Sequence, residues 1–493
     1  MMATIKERTR KRSLGQFFTP RPVAEFMASL FASSHHEHVR LLDAGAGAGA
    51  LTAAYVRAMC QRTRKPTHIE VTAFEKDESV IPTLRHTLAE CDQLCADAGI
   101  GFSCDIRNED FVAFGVEELN GGLFSGAGMR FNAAIVNPPY CKIRSDSLER
   151  LLLRSVGIET SNLYAAFVAL IVRLLESDSE LVAITPRSFC NGPYFKPFRR
   201  ELLSSVSLRQ IHVFESRSAA FRQDEVLQEN VIVHAAKGRP THESVIISSS
   251  LSESPHENTR AVVPYSEVVS PNDPDQFIHL TVTDAEANAR SVMTRLSTTL
   301  EDLGLSVSTG RVVEFRAKEH LRSVPDGETA PLIYPCHFDR GRVAWPKEGS
   351  RKPNAIVKCH ATRDLLIPSD VYVLTKRFSA KEEPRRIVAC VFDPSSVKAE
   401  VVGFENHLNY YHSKGRGLPE TLAKGLFAFL NSSVVDVYFR QFNGHTQVNA
   451  TDLRSLRYPS QQQLEHIGSQ LHRLDLSQDE VDCVVEEALR GQR

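Results

Sequence analysis

Val39-Arg40-Leu41-Leu42-Asp43-Ala44-Gly45-Ala46-Gly47-Ala48-Gly49 opens on a short apolar run and passes into alternating glycines. The run predicts a buried strand. The glycines predict a turn tight enough for backbone to approach a ligand, and Leu51 to Cys60 the helix after it. The same unit recurs downstream. His68 to Phe74 (HIEVTAF) predicts a second strand, followed by a helix through Ile81 to Leu94. Gly101 to Ile106 predicts a third strand, and Phe131 to Val136 (FNAAIV) a fourth that stops at Asn137-Pro138-Pro139. Helix Asn162 to Leu175 and strand Glu180 to Thr185 continue the alternation. Gln210 to Phe214 and Asn230 to Ala235 read as two neighbouring strands joined by a polar connection. Strands alternating with helices predict an α/β fold of Rossmann-like type: a mostly parallel seven-stranded sheet with an antiparallel edge and helices on both faces.

Past residue 245 the pattern loosens. Residues 246–300 are rich in Ser, Pro and Asn, with one helical stretch near Asp284 to Leu296, and read as a connecting segment. Residues 301–493 predict a second, mixed α+β domain. Its strand-like runs are Leu332-Ile333-Tyr334, Val371 to Leu374 and Ile387 to Phe392, followed by a helix at about Leu422 to Phe442 and an amphipathic C-terminal helix.

The chain has 493 residues, 42% of them hydrophobic and 24% charged, enough for two or three domains with a large core. The longest apolar stretch, Leu163 to Leu175, is interrupted by Tyr164 and Arg173 and is too short to span a bilayer. The basic N-terminus, with Lys6, Arg8, Arg10, Lys11 and Arg12, has no apolar segment behind it, so a cytoplasmic protein with no membrane association is expected. Ten scattered cysteines predict reduced thiols, and Cys336-His337 and Cys359-His360 lack zinc-ligand spacing, so no metal is expected. The net charge of −2 conceals a gradient: 23 Lys and Arg stand against 16 acidic residues from Arg311 to Arg457, with an acidic tail beyond. That excess allows a polyanion-binding face.

Two constellations carry chemistry. The glycine loop from Asp43 to Gly49 precedes Glu75, at the end of the second strand, where a carboxylate can accept both hydroxyls of a ribose. Asn137-Pro138-Pro139-Tyr140 follows a buried strand. Two prolines make the turn rigid and remove two donors, leaving carbonyl oxygens and the Asn137 oxygen as acceptors around one point. Acceptors so placed hold the hydrogens of a conjugated amino group and favour the pyramidal nitrogen that attacks a methyl group. Tyr140 adds an aromatic face on which a base can stack.

With these motifs in this order, the chain resembles the gamma-class DNA adenine amino-methyltransferases of the TaqI type, from about Leu14 to Lys237 and more faintly near Arg440 to Leu456. The resemblance implies a methyltransferase catalytic domain over 1–245, a DNA target-recognition domain over 301–493 and S-adenosyl-L-methionine as cofactor. Gly15-Gln16-Phe17-Phe18-Thr19-Pro20 looks like the motif that closes over the methionine end, implying Thr19 and Pro20 as cofactor contacts. Asp43, Ala44, Gly45 and Gly47 match the cofactor loop, with Asp43 near the methionine amino group. Glu75 matches the ribose-binding acid, with Lys76 beside the adenine. Asp110 would bind the adenine amino group and Phe111 would stack on its ring. Asn137, Pro138, Pro139 and Tyr140 match the catalytic motif, with Asn137 and Pro139 also lining the cofactor. Phe221 falls where the family holds the flipped base from its other face. A monomer acting on double-stranded DNA beside a separate cognate restriction endonuclease is the implied setting.

Arg311, Arg316, Lys318, Arg340, Arg342, Arg351 and Lys352 are the expected phosphate contacts. Asn406, Asn409, Asn443, His445, Gln447 and Asn449 have groups that read base edges. The recognition sequence does not follow from them. Two other readings stay open on the residues alone: methylation of an RNA adenine or a protein glutamine, and a non-catalytic DNA-binding subunit of a defence system. A fused nuclease has little room in a chain filled by two domains.

Overall fold

A computed structural model of the chain describes residues 19–33, 36–121, 129–214, 230–238, 243–250, 259–271, 273–280, 284–379, 383–442 and 447–490. The chain divides into two compact units, Met1–Val282 and Thr283–Arg493.

The first unit runs α1 (Arg21–Ser29), β1 (His38–Ala44), α2 (Ala50–Cys60), β2 (His68–Phe74), α3 (Ile81–Ala98), β3 (Gly101–Arg107), α4 (Phe111–Asn120) and β4 (Phe131–Val136). It continues through α5 (Leu148–Ser155), α6 (Leu163–Leu174), β5 (Leu175–Pro186), α7 (Lys196–Ser205), β6 (Val206–Phe214), β7 (Asn230–Lys237), β8 (Ser244–Ser250) and β9 (Thr259–Pro264). The seven expected strands stand in the order β3-β2-β1-β4-β5-β7-β6. The first five are mutually parallel, and β7 is antiparallel to both neighbours. The chain goes outward from β1 in one direction through β2 and β3 and in the other through β4 and β5. That reversal leaves a crevice at the carboxyl edge, where α/β folds bind ligands.

Burial on both faces explains why the strands read as continuous apolar runs. On one face Leu41, Val71, Ile135, Ile184 and Ile232 pack under α1, α2 and α3 through Val23, Met27, Tyr55, Leu84 and Leu88. On the other, Leu42, Phe74, Val136, Ala183 and Val231 pack under α4, α6 and α7 through Phe111, Phe114, Leu170 and Phe198.

The sheet is wider than expected. β8 pairs parallel with β6 and β9 antiparallel with β8, giving nine strands, and part of the stretch 246–300 belongs to this sheet rather than to a connection. β8 reads as polar (SVIISSS) because its serines are buried against a polar partner. Buried His212 in β6 bonds Ser248 Oγ through Nδ1 (2.9 Å) and Ser250 Oγ through Nε2 (3.1 Å). Buried hydroxyls are tolerated when paired.

The second unit opens on α8 (Asp284–Arg295) and β10 (Ser306–Thr309), then short strands β11 (Leu321–Arg322), β12 (Thr329–Ile333), β13 (Phe338–Asp339), β14 (Arg342–Val343), β15 (Ala355–Val357) and β16 (Leu366–Pro368). β17 (Tyr372–Lys376), β18 (Ala389–Phe392), β19 (Val401–Phe404) and β20 (Leu408–His412) complete two sheets, ordered β10-β20-β17-β18-β14-β13 and β11-β15-β12-β19-β16. Helices α9 (Glu420–Leu430), α10 (Ser433–Phe442), α11 (Ala450–Ser455), α12 (Gln461–Gln470) and α13 (Gln478–Arg490) follow. The single helix expected over 422–442 is two, broken where the Asn431 side chain bonds both N–H and C=O of Ala389 (3.1 Å each). An amide that competes for backbone partners ends a helix turn. Among the described residues no single helix is long and apolar enough to cross a membrane; α9 and α10, apolar as a pair, are bent by 54° and contribute to the second unit's core.

Candidate functional site

The glycine loop is built by backbone. Gly45, Gly47 and Gly49 all have φ in the left-handed region (+86°, +55° and +82°), where a side chain strains the chain. Gly45 and Ala46 donate their N–H groups to Phe74 O (2.9 and 2.8 Å), which ties the loop to the end of β2. Asp43, the last side chain before the loop apart from Ala44, has no exposed surface. Its Oδ2 accepts from Thr52 Oγ1 (2.7 Å) on α2, while Oδ1 is buried with no partner among the described residues. Burial pushes this carboxyl up to about 7 against the lowering effect of Thr52. Buried carboxylate oxygens are normally paired, so this site fits a ligand that brings a hydrogen-bonding cation.

Glu75 at the end of β2 is buried and braces the loop. Its Oε2 accepts from Gly47 N (2.8 Å) and its Oε1 from Asp77 N (2.7 Å), and Asn108 Nδ2 bonds its carbonyl (2.8 Å). Burial raises its pKa. Lys76 Nζ bonds Asp110 Oδ2 (2.8 Å), which holds the ammonium above its ordinary value. Asp110 Oδ1 accepts from Val112 N and Ala113 N (2.9 and 3.2 Å) and so caps α4. Phe111 sits in an aromatic cluster, its ring 5.1 Å from Phe74 and 5.0 Å from Phe167. The structure thus brings Asp43, the loop, Glu75, Lys76, Asp110 and Phe111 to one edge, with Asp110 and Phe111 engaged by the protein itself.

Asn137, Pro138, Pro139 and Tyr140 leave the end of β4 beside that loop. A Cβ on Gly45 would stand 3.8 Å from Asn137 O, so the two motifs are in contact distance. Asn137 Nδ2 donates to Thr19 Oγ1 (3.1 Å), which turns the amide oxygen the other way. Thr19 and Pro20 precede α1, and Pro20 O accepts from Ala24 N (3.0 Å) at its first turn. Tyr140 Oη donates to Ile184 O on β5 (3.2 Å), and its ring meets Tyr164 edge-on at 6.2 Å. Burial raises the Tyr140 hydroxyl well above the ordinary phenol value.

Residues 15–18 and Phe221 lie outside the described residues, as do Asn443 and His445. In the second unit two expected base readers are engaged by the protein itself. Asn409 is wholly buried, with Nδ2 donating to Val448 O (2.8 Å) and Oδ1 accepting from Thr309 Oγ1 (3.2 Å). Asn449 caps α11 in a reciprocal pair with Asp452. Among the expected phosphate contacts, Lys352 pairs with Glu314 (2.6 Å) and Arg340 with Asp475 (3.3 Å). Sequence reasoning passed over Thr52, Tyr164 and Asn230. A polar residue opening the apolar run NVIVHAA was the one available signal for Asn230.

The model of the Eco57I restriction-modification methylase family matches residues 60–221. Type II methyltransferase M.PstI of Providencia stuartii is 45% identical over 488 residues, covering 99% of this chain and 95% of that protein. Type II methyltransferase M.BsuBI of Bacillus subtilis is 45% identical over 487 residues, covering 98% and 95%. The solved structure of the type IIG restriction endonuclease BpuSI aligns over 97% of this chain and 66% of that one, at 14% identity and a TM-score of 0.48. Near-complete coverage of two relatives at 45% identity, over a chain that holds both motifs, means that this protein belongs to the type II DNA methyltransferases of restriction-modification systems.

Proposed function

We propose that this enzyme methylates the exocyclic amino nitrogen of adenine within a short duplex sequence, flipping the base out of the helix and shielding the site from a cognate endonuclease. The placement of Asn137 beside the glycine loop at Gly45, with its amide nitrogen on Thr19 Oγ1, carries this reading. It sets an acceptor cluster directly beside a buried carboxyl that awaits a cation.

When bound, S-adenosylmethionine supplies a methyl carbon made electrophilic by its sulfonium. Asp43 would hold the amino group of the methionine end, and the Gly45 to Gly47 backbone would leave room for it. Glu75, braced on Gly47 N and Asp77 N, would accept from the ribose through its remaining lone pairs. Lys76, Asp110 and Phe111 give the adenine edge of the site its shape. Asn137 Oδ1 and the Pro138 carbonyl accept the two hydrogens of the target amino group. Held this way, the nitrogen lone pair is withdrawn from conjugation and aimed at the methyl. Tyr140 receives a face of the extruded base. Extrusion is required because an amino nitrogen inside a duplex cannot reach the loop, and stacking returns part of its cost. The rate comes from positioning and from acceptors fixed before the reaction starts.

The test is expression of wild type and Asn137→Ala in a methylation-free host, with single-molecule sequencing of the DNA. Methyladenine in one short motif with wild type alone is expected, the variant losing about 100-fold or more in turnover while still binding S-adenosylmethionine. Unmodified DNA from soluble, cofactor-binding wild type would move the substrate to RNA or a protein amide.

A further inference from the structure

Asn230 opens β7 at the carboxyl edge of the sheet, across from Pro186 of β5. It is 1% exposed, and neither its amide nitrogen nor its amide oxygen has a hydrogen-bond partner among the described residues. Buried amides are paired in nearly every native protein, so a fully buried one with both atoms unmet marks a place that water or a ligand completes.

Its position points to which ligand. β4, β5 and β7 are consecutive neighbours. Alternation along β7 puts Asn230 on the face of Ile232, in the core that also holds Ile184 of β5 and Ile135 of β4. Asn137 lies two residues beyond Ile135 and is held to that face by Thr19, just before α1, whose Val23 and Met27 enter the same core. Tyr140 bridges the two: its hydroxyl bonds Ile184 O, and Ile184 pairs with Ile232. Asn137 and Asn230 therefore stand on one face of one edge, two strand spacings across and two residues along, with backbones about 12 Å apart. In adenine, N3 lies across the six-membered ring from the carbon that bears the amino group. An amino-to-N3 span of about 4 Å with a hydrogen bond of about 3 Å at each end is about 10 Å between side-chain atoms, a length that fits inside that backbone separation.

We infer that Asn230 is a base-contacting residue, its Nδ2 donating to N3 of the flipped adenine while Asn137 and Pro138 hold the amino group. The assignment rests on the adenine reading proposed above. It gives the site a grip on both ends of the ring, so that the amino nitrogen is delivered in one orientation. It also gives a partner to the buried Asn230 Nδ2, which has none among the described residues.

The experiment compares wild type, Asn230→Leu and Asn230→Ala on duplexes carrying the motif that sequencing identifies, with adenine or 3-deazaadenine at the target. Asn230→Leu keeps the shape and removes the unmet polar atoms, so its melting temperature without ligands is expected at or above that of wild type. Asn230→Ala serves should the leucine not fit. Both are expected to bind S-adenosylmethionine normally and to lose at least 10-fold in kcat/KM on adenine. Wild type is expected to lose a similar factor on 3-deazaadenine, and the variants nothing further. Full activity of the variants on adenine, or an equal loss on both substrates, overturns the contact. Wild type that methylates neither duplex, and no other adenine, overturns the adenine reading itself and this assignment with it.

Discussion

Asp43 carries a carboxyl group with no exposure to water, one oxygen on Thr52 and the other without a partner among the described residues. Burial lifts its folded-state value to about 7, well above that of an unfolded aspartate. From about pH 4 to about 7 the folded chain holds a proton that the unfolded chain has released. Stability without cofactor therefore falls as pH rises through that window and levels off above it. Asp43→Asn removes the dependence. Its melting temperature relative to wild type is expected to rise between pH 5 and pH 8, with a few kcal/mol in its favour at the upper end. If Asp43 holds the methionine ammonium as proposed, the same variant is expected to bind S-adenosylmethionine at least 30-fold more weakly, the cation having lost its charged partner. Wild-type affinity should rise with pH up to about 7, and titration calorimetry at several pH values reads this directly. An Asp43→Asn protein destabilised equally at both pH values would mean that the carboxyl serves the fold rather than a ligand.

At the scale of the element, the outer part of the sheet depends on one buried imidazole. His212 is held neutral by burial, its value pushed down to about 4, and spans two serines of β8. Ser248→Ala leaves Nδ1 of that ring unmet and is expected to cost about 1–3 kcal/mol, read as a shift in the urea midpoint with an unchanged slope. This device also explains what could and could not be read from the chain alone. β1 to β7 were legible because burial on two faces forces long apolar runs, and the Gly45 and Asn137 motifs were legible because each makes a demand on backbone that few residues meet. β8 was hidden: its polar residues satisfy one another only once His212 is beside them. The break between α9 and α10 was hidden for a similar reason, since Asn431 ends the turn through Ala389, some forty residues earlier. Asn230 and the capping role of Asp110 also depend on neighbours in space, which no local pattern announces.

Over the whole molecule, each unit has its own core: two layers around the nine-stranded sheet in the first, and separate clusters among the helices and small sheets in the second. The second depends on a close crossing of α9 and α12. A Cβ on Gly425 would stand 1.8 Å from Leu464 O, and one on Gly468 1.8 Å from Thr421 O. No rotamer relieves a clash with backbone, so the helices must separate, and overpacking of this kind costs about 3 kcal/mol or more. Gly468→Ala is therefore expected to lower the melting of the second unit while the first, with Asp43, Glu75 and Asn137 in place, still binds S-adenosylmethionine at wild-type affinity. Calorimetry with and without cofactor separates the two cases. If the units fold independently, the cofactor raises one transition by mass action and leaves the lowered one unmoved. If one transition moves as a whole, the cores are energetically coupled, and damage at Gly468 must then lower the melting of both units together.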